Sequence, residues 1–134
     1  MDPILRQIII LLIALLATIL FELPVFILGY RKEDFTVKYK IIVFVLVNVI
    51  TNLSINTIGL ILRQYIYISM GKGIGTAVLI LEETAVVVIE ALVYKKAFIT
   101  GFKKPLIISL AANALSAVLG SYLLSNWGQT LWTR

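Results

Sequence analysis

The chain of 134 residues contains no cysteine and no histidine. A thiolate nucleophile, a redox-active thiol pair and imidazole acid–base catalysis are therefore excluded. Zn²⁺ and copper ions also lack their preferred nitrogen and sulfur ligands. We accordingly expect no catalytic residues, no metal centre and no bound cofactor.

Charged residues are also scarce, at 14% of the chain, whereas soluble domains carry about 25%. Hydrophobic residues make up 60% of the chain, and its mean hydropathy is +1.02. This composition excludes a soluble globular domain and a disordered chain. The net charge of +5 comes from basic residues that flank apolar runs. That placement favours a lipid bilayer over nucleic acid as the partner.

Four apolar segments are long enough to cross the hydrocarbon core of a bilayer, which takes about 20 helical residues. They cover residues 8–30, 41–62, 74–94 and 105–124. The connections between them are short, so consecutive spans run antiparallel and leave no room for a soluble domain. We therefore predict an all-α integral membrane protein in which residues 1–134 form a single bundle of four transmembrane helices.

The basic residues are distributed unevenly between the predicted connections. The loops at 31–40 and 95–104 carry eight of the twelve, and the opposite side carries four. Because basic loops stay in the cytoplasm, both hairpin loops are predicted to be cytoplasmic and both termini outside, in a plasma or inner membrane. Tyr30, Tyr39 and Tyr94 are expected to lie in an aromatic belt at the cytoplasmic interface.

The chain looks like two helical hairpins in tandem. Each begins with a span that carries a glutamate in its cytoplasmic half, Glu22 in one and Glu90 in the other. A basic loop and then a span with an asparagine near its centre follow. Two registers fit these second spans: Asn48 to Thr51 on Asn113 to Ser116, or Asn48 and Asn52 on Ser109 and Asn113. Either register predicts two hairpins related by a pseudo-two-fold axis along the membrane normal.

Four glutamates lie at membrane depth: Glu22, Glu82, Glu83 and Glu90. A charged side chain near the centre of a span costs roughly 2.5–3.5 kcal/mol, so each is a hypothesis of function. Glu83 and Glu90 share one helix face, about 10 Å apart along the axis, and Glu82 points about 100° away. No lysine or arginine lies in the core of the spans to neutralise them. The acids can be neutral and bonded to asparagines, line a wet cavity or bind a cation.

Amide and hydroxyl side chains accompany the acids. Asn48, Asn52 and Asn56 repeat at every fourth residue along one side of the second span. Asn113 and Ser116 lie on one face of the fourth span. These groups either join helices by hydrogen bonds or supply oxygen ligands to a cation.

A proline interrupts the first span two residues after its glutamate. Pro24 removes one backbone hydrogen bond and frees the carbonyl group of Leu20. Such a position bends a transmembrane helix and often lies beside an ion or substrate site. We therefore predict a hinge at Pro24.

These observations predict a small membrane transport protein, a transporter or channel for a cation or protons, and not an enzyme. The ion or substrate site is expected to comprise Glu22, Asn48, Asn52, Glu83, Glu90, Asn113 and Ser116. Four short helices make a thin wall around a path, so a homo-oligomer, most simply a dimer, is expected. The alternative is a non-transporting membrane subunit or scaffold whose buried acids dock the transmembrane helices of a partner protein. An intramembrane enzyme acting on lipid is a weaker third possibility, because glutamate would have to supply its acid–base chemistry.

Overall fold

The computed structural model describes residues 3–70 and 72–132, with side chains described for most of residues 5–58 and 74–122. It contains four α-helices: α1 (Pro3–Gly29), α2 (Val37–Met70), α3 (Lys72–Ala97) and α4 (Lys103–Trp132). Helices α2, α3 and α4 extend beyond the predicted spans at both ends, whereas α1 begins five residues earlier than predicted and ends one residue earlier. With 34 residues, α2 is about 51 Å long, more than the roughly 30 Å of a hydrocarbon core.

Three of the helices contain a stretch that is long and apolar enough to cross a membrane. These stretches are Leu11–Gly29 in α1, Val37–Ile55 in α2 and Lys103–Tyr122 in α4. The predicted span at 74–94 is not among those found in the described part of the chain. Its helix, α3, carries three glutamates within that length. The protein is therefore all-helical in its described part, and three helices have the length and composition of membrane spans.

The helices pack as a four-sided arrangement in which α1 and α3 each contact both α2 and α4. Gly29 at the end of α1 lies against Ile108 near the start of α4. Glu22, earlier in α1, contacts Ser116, later in α4. These two contacts make α1 and α4 antiparallel. Because α1 and α3 share both neighbours, they lie diagonally opposite each other across the centre of the arrangement.

Local signals explain two of the helix ends. The Thr36 hydroxyl group accepts a hydrogen bond of 3.3 Å from the backbone N–H of Tyr39, which is the N-cap interaction of α2. Lys95 lies in the last turn of α3, where a positive charge is favourable. Beyond that turn Ile99 adopts φ 52°, and the backbone N–H of Thr100 donates to the Lys95 carbonyl at 3.2 Å. This is the left-handed closure that ends many helices.

An aromatic cluster fills one end of the interior. We use this name for Phe26, Tyr30, Phe44, Tyr94 and Phe98, whose side chains are all buried. Their ring centroids lie 4.7 Å apart between Phe26 and Phe44, 5.1 Å between Phe26 and Tyr94, and 4.4 Å between Tyr30 and Phe98. Such pairs each contribute about 0.5–1.5 kcal/mol beyond their burial. The cluster therefore joins α1, α2 and the end of α3 into one packed unit.

The burial of two of these rings corrects the sequence-based prediction of an aromatic belt. Tyr30 and Tyr94 are 0% and 2% exposed and lie in the aromatic cluster, whereas Tyr39 is 40% exposed. A tyrosine near the end of a span suits both a membrane interface and a helix interior. The rotation of each helix, which composition does not fix, decides between the two places.

Charged side chains close the loop end of the aromatic cluster. Lys104 at the start of α4 forms an ion pair with Glu33, and its ammonium group lies 5.4 Å from the centroid of the Tyr30 ring. Lys40 is buried and donates a hydrogen bond of 2.7 Å to the carbonyl oxygen of Glu33. The aromatic cluster thus has a charged, hydrogen-bonded cap on the side of residues 30–36 and 98–104.

Candidate functional site

Polar side chains from all four helices meet directly next to the aromatic cluster. We call this group the polar cluster; it consists of Glu22 on α1, Asn48 and Thr51 on α2, Glu90 on α3, and Ser109, Asn113 and Ser116 on α4. Glu22 and Glu90 are each 1% exposed, and Asn48 is 0% exposed. Two carboxyl groups are therefore enclosed by helices near the middle of the described bundle.

Glu90 is the better satisfied of the two acids. Its Oε2 atom accepts hydrogen bonds of 2.6 Å from the Ser109 hydroxyl group and 2.7 Å from the Asn113 amide. Its Oε1 atom lies 3.3 Å from the Thr51 hydroxyl group. Donors from α2 and α4 therefore hold this α3 carboxyl group in place from both sides.

Glu22 has a much sparser environment. The Ser116 hydroxyl group donates a hydrogen bond of 2.9 Å to its Oε1 atom. Its Oε2 atom is buried and has no hydrogen-bond partner among the described residues. The amide of Asn48 donates to the Phe44 carbonyl oxygen at 3.3 Å and is a second polar neighbour of this carboxyl group. One carboxyl oxygen therefore has no hydrogen bond of ordinary length among the described residues and can take another ligand.

A second buried polar atom faces the same place. The Tyr94 hydroxyl group has no hydrogen-bond partner among the described residues, and its neighbours include Glu90, Glu22 and Asn48. Tyr94 lies one turn after Glu90 on the same face of α3. Leaving a buried polar group unsatisfied costs about 1–3 kcal/mol, and both groups have Glu90 and Asn48 among their neighbours. This points to a ligand or ordered water near them.

The hydroxyl groups that contact the acids each have a choice of acceptor. Thr51 Oγ1 lies 2.9 Å from the Val47 carbonyl oxygen as well as 3.3 Å from Glu90. Ser116 Oγ lies 3.0 Å from the Asn113 carbonyl oxygen as well as 2.9 Å from Glu22. A hydroxyl group has one hydrogen to donate and accepts through its oxygen. Each can therefore donate to a carboxylate, or accept from a protonated acid while it donates to its own helix.

No cationic side chain neutralises the two buried acids in the described part of the chain. The ion pair present there joins Lys104 and Glu33 at the loop end. Groups of three or more acidic residues that could hold a metal ion are also absent from the described residues. The two carboxyl groups, which influence each other electrostatically, therefore have hydroxyl, amide and phenol groups as their polar neighbours.

Five of the seven predicted ion-site residues lie together in the polar cluster. They are Glu22, Asn48, Glu90, Asn113 and Ser116. Asn52 is half-buried next to it, and its amide donates a hydrogen bond of 3.3 Å to Asn48 Oδ1. The side chain of Asn56 lies outside the described residues. Pro24 is exposed, and α1 continues through it from Pro3 to Gly29, so its role as a hinge stays a prediction.

Glu83 differs from Glu90 in exposure although it lies seven residues earlier on the same face of α3. Glu83 is exposed and Glu90 is buried, and Glu83 contributes to the electrostatic environment of both buried acids. Seven residues bring a helix back to within about 20° of the same direction. Glu83 therefore lies beyond the polar cluster on the side away from the aromatic rings, in a stretch of α3 (81–85) whose side chains are exposed or half-buried.

Glu82 faces a different space from Glu83. It is half-buried and lines a groove of about 310 Å³ between α2 and α3. The other lining residues are Ile55, Ile58, Val78, Leu81 and Ala85. The sequence left open which of the two glutamates points inward; in the structure Glu82 lines this groove and Glu83 is exposed.

Thr51, Ser109 and Tyr94 were not among the predicted site residues. The first two hydrogen-bond Glu90, and a signal for them was present, since Thr51 follows Asn48 by three residues and Ser109 precedes Asn113 by four. The signal for Tyr94 is a shared spacing: Glu22 and Glu90 are each followed by aromatic residues at the fourth and eighth positions. Those aromatic residues are Phe26 and Tyr30 in one case, and Tyr94 and Phe98 in the other.

Comparisons of the chain with protein-family models, with curated proteins and with solved structures give no match. The function must therefore be argued from the geometry and chemistry of the polar cluster itself.

Proposed function

We propose that the protein is a small membrane transport protein that moves protons or a small cation, with Glu22 and Glu90 as the groups that carry the charge. The observation that supports this most strongly is the burial of both carboxyl groups without a cationic side chain near them in the described chain. An ionisable group at membrane depth is costly and usually serves an ion or proton path.

The incomplete satisfaction of the cluster favours transport over a purely structural role. Hydrogen bonds that only join helices are worth about 0.6 kcal/mol on average in membranes and leave no polar atom unpaired when complete. Here Glu22 Oε2 and the Tyr94 hydroxyl group are buried and unpaired among the described residues. A cation or a chain of water molecules would satisfy both groups at once.

The packing along the helices supports an access path from one side. Exposed Glu83 lies beyond the polar cluster on the side away from the aromatic rings, and the aromatic cluster with its charged cap closes the other side. An acid at the entrance raises the local concentration of cations. The proposed path therefore leads from Glu83 to Glu22 and Glu90 and is closed below them by Phe26 and Tyr94.

We further propose how the helices lie in the membrane. α3 is a fourth span, in which Glu90 is tolerated because it faces the interior. The loops around 31–40 and 95–104 lie in the cytoplasm and both termini lie outside, in a plasma or inner membrane. The aromatic cluster then closes the cytoplasmic side. In a homodimer, the helices of a second copy would add to those around the path.

We also propose that the two hairpins are an internal repeat. Glu22 contacts the Ser116 hydroxyl group of α4, and Glu90 contacts the Thr51 hydroxyl group of α2. These contacts exchange if Glu22 is paired with Glu90 and Thr51 with Ser116. They support the register in which Asn48 aligns with Asn113 and a pseudo-two-fold axis between α1 and α3.

The alternative function is a non-transporting subunit or scaffold. The burial of Glu22 and Glu90 without a cationic side chain near them in the described chain also fits it, because such acids can dock a basic or hydroxyl-bearing helix of a partner protein. Under this alternative purified protein would carry no flux.

Flux through the purified protein in liposomes tests the proposal. A pH-sensitive dye is enclosed, and gradients of H⁺, Na⁺ and K⁺ are imposed in turn, with Mg²⁺ and Ca²⁺ gradients as further conditions. Flux above that of protein-free liposomes in at least one condition is the expected result and identifies the ion. If no condition gives flux and circular dichroism verifies the helical content of the protein, the proposal is overturned in favour of the subunit alternative.

A further inference from the structure

We infer that Glu22 and Glu90 share a single negative charge, with Glu90 as the fixed carboxylate and Glu22 as the exchangeable acid, so that the site takes one proton or one monovalent cation at a time. This inference rests on the proposed function and specifies its substrate class. It is carried by the different hydrogen-bond environments of the two acids.

The donors around Glu90 are those that suit an ionised carboxylate. Its distances of 2.6 Å to the Ser109 hydroxyl group and 2.7 Å to the Asn113 amide are in the range of charge-assisted hydrogen bonds, roughly 2.5–2.7 Å for O–H donors and 2.7–2.9 Å for N–H donors. Both donors reach the same oxygen atom, where they stabilise a localised negative charge.

The surroundings of Glu22 suit a neutral acid. Its hydrogen bond of 2.9 Å from Ser116 is longer than expected for a hydroxyl group that faces a carboxylate. Its Oε2 atom has no hydrogen bond of ordinary length among the described residues, and the Asn48 amide is its other polar neighbour. An ionised carboxylate buried with these donors would be less well solvated than Glu90, whereas a protonated one needs fewer donors.

The charges that face Glu22 also disfavour its ionisation. From α3 the facing titratable groups are Glu90, Glu83 and Tyr94. From α2 and α4 the facing groups are the uncharged Asn48 and Ser116. Two like charges in one buried site do not both ionise without a cation, so unequal environments decide which acid keeps the proton.

Exchange at this site conserves charge. With a proton bound, Glu22 is neutral, Glu90 is negative and the pair carries one negative charge. When a monovalent cation binds, the Glu22 proton leaves to solvent, and two carboxylates with one cation again carry one negative charge. The cation would take Glu22 Oε2 and the Tyr94 hydroxyl oxygen as ligands.

A divalent ion does not fit this set of ligands. Ca²⁺ takes about six to eight oxygen ligands, and Mg²⁺ takes six in a strict octahedron. Three of the four carboxyl oxygens already have hydroxyl or amide neighbours, and Glu22 Oε2 is left over. A divalent ion would have to give up most of its tightly held water for this small set, whereas a proton needs one oxygen and a monovalent cation, which is less strongly hydrated, can keep water as its other ligands.

Infrared spectroscopy of the protein in bilayers tests the inference without any gradient, so its result is independent of transport. A protonated carboxylic acid has a carbonyl stretch that ionised glutamates lack. We expect this band in the wild type at neutral pH, its loss in Glu22→Gln and its retention in Asp34→Asn, a control in the exposed loop.

The wild type alone provides a second test that needs no variant to fold. Na⁺ or K⁺ at saturating concentration should remove the band, and Mg²⁺ or Ca²⁺ should leave it. The inference is overturned if the wild type lacks the band, if the band persists in Glu22→Gln, or if a divalent ion alone removes it. If the band behaves as expected while liposomes show no flux, the proposed transport fails and the shared charge stands.

Discussion

Ser116 on α4 donates a hydrogen bond of 2.9 Å to Glu22 on α1, across 94 positions of the chain. Its counterpart is the 3.3 Å contact of Thr51 on α2 with Glu90 on α3. Each buried acid therefore has a hydroxyl group from a neighbouring helix that can donate to it or accept from it. Each acid therefore has a hydroxyl partner that can form a hydrogen bond with both its ionised and its protonated form.

Removal of the Ser116 hydroxyl group should weaken the contact of α1 with α4. We expect Ser116→Ala to lower the free energy of unfolding by about 1 kcal/mol, because it leaves Glu22 without its hydrogen-bond donor. The control is Ser121→Ala, whose exposed hydroxyl group donates to Val118 in its own helix at 2.8 Å. Thermal unfolding in detergent, followed by circular dichroism, compares the two. Equal midpoints for both variants would contradict this role of Ser116.

Tyr94→Phe separates stability from function. The Tyr94 hydroxyl group is buried without a partner in the described chain, so its removal should leave the thermal midpoint unchanged or raise it. If the hydroxyl group contacts the transported ion, cation flux should fall roughly tenfold, the factor that corresponds to about 1.4 kcal/mol.

The matched control for that change is Tyr30→Phe. The Tyr30 hydroxyl group is also buried and unpaired among the described residues, but it lies toward the loop end near Glu33. Flux should be unaffected in Tyr30→Phe. A loss of flux of the same size in both variants would remove Tyr94 from the site.

Only some of the site residues could be predicted from the sequence. Glu22, Glu90, Asn48 and Asn113 could be identified because polar groups stand out in apolar spans. The hydrogen-bond partners of each acid depend on how the helices pair and rotate. The spacing of polar residues along the sequence does not determine this. For the same reason Tyr94 was expected at the membrane interface and lies instead in the interior.

Gly29 is required by the close approach of α1 to α4. A Cβ atom at this position would lie 2.5 Å from Ile108 Cδ1 and 2.7 Å from its Cγ1. We expect Gly29→Ala to destabilise the protein by about 1–3 kcal/mol through overpacking. Gly120→Ala is the control, since a Cβ atom there meets nothing within 4 Å, and it should be neutral or slightly stabilising. Thermal unfolding of both variants checks the difference, and equal destabilisation would contradict the close packing at Gly29.

Ile99 has an unfavourable backbone conformation for a β-branched residue, with φ 52°. Its side chain is 87% exposed and contributes little packing. We therefore expect Ile99→Gly to stabilise the protein by about 1 kcal/mol, because glycine adopts this conformation without steric cost. Ile99→Ala keeps the steric problem and should bring a smaller gain. A higher thermal midpoint for the alanine variant than for the glycine variant would contradict the explanation.

The most direct test of the central claim is cation or proton flux in liposomes with both buried acids replaced. The double variant Glu22→Gln, Glu90→Gln keeps the size of each side chain and one of its acceptor oxygens, and removes its ability to carry a charge. Asp34→Asn in the exposed loop serves as the matched control. The account predicts that flux falls to the level of protein-free liposomes in the double variant and is unchanged in the control. Wild-type flux in a correctly folded double variant would contradict the assignment of Glu22 and Glu90 as the transport site.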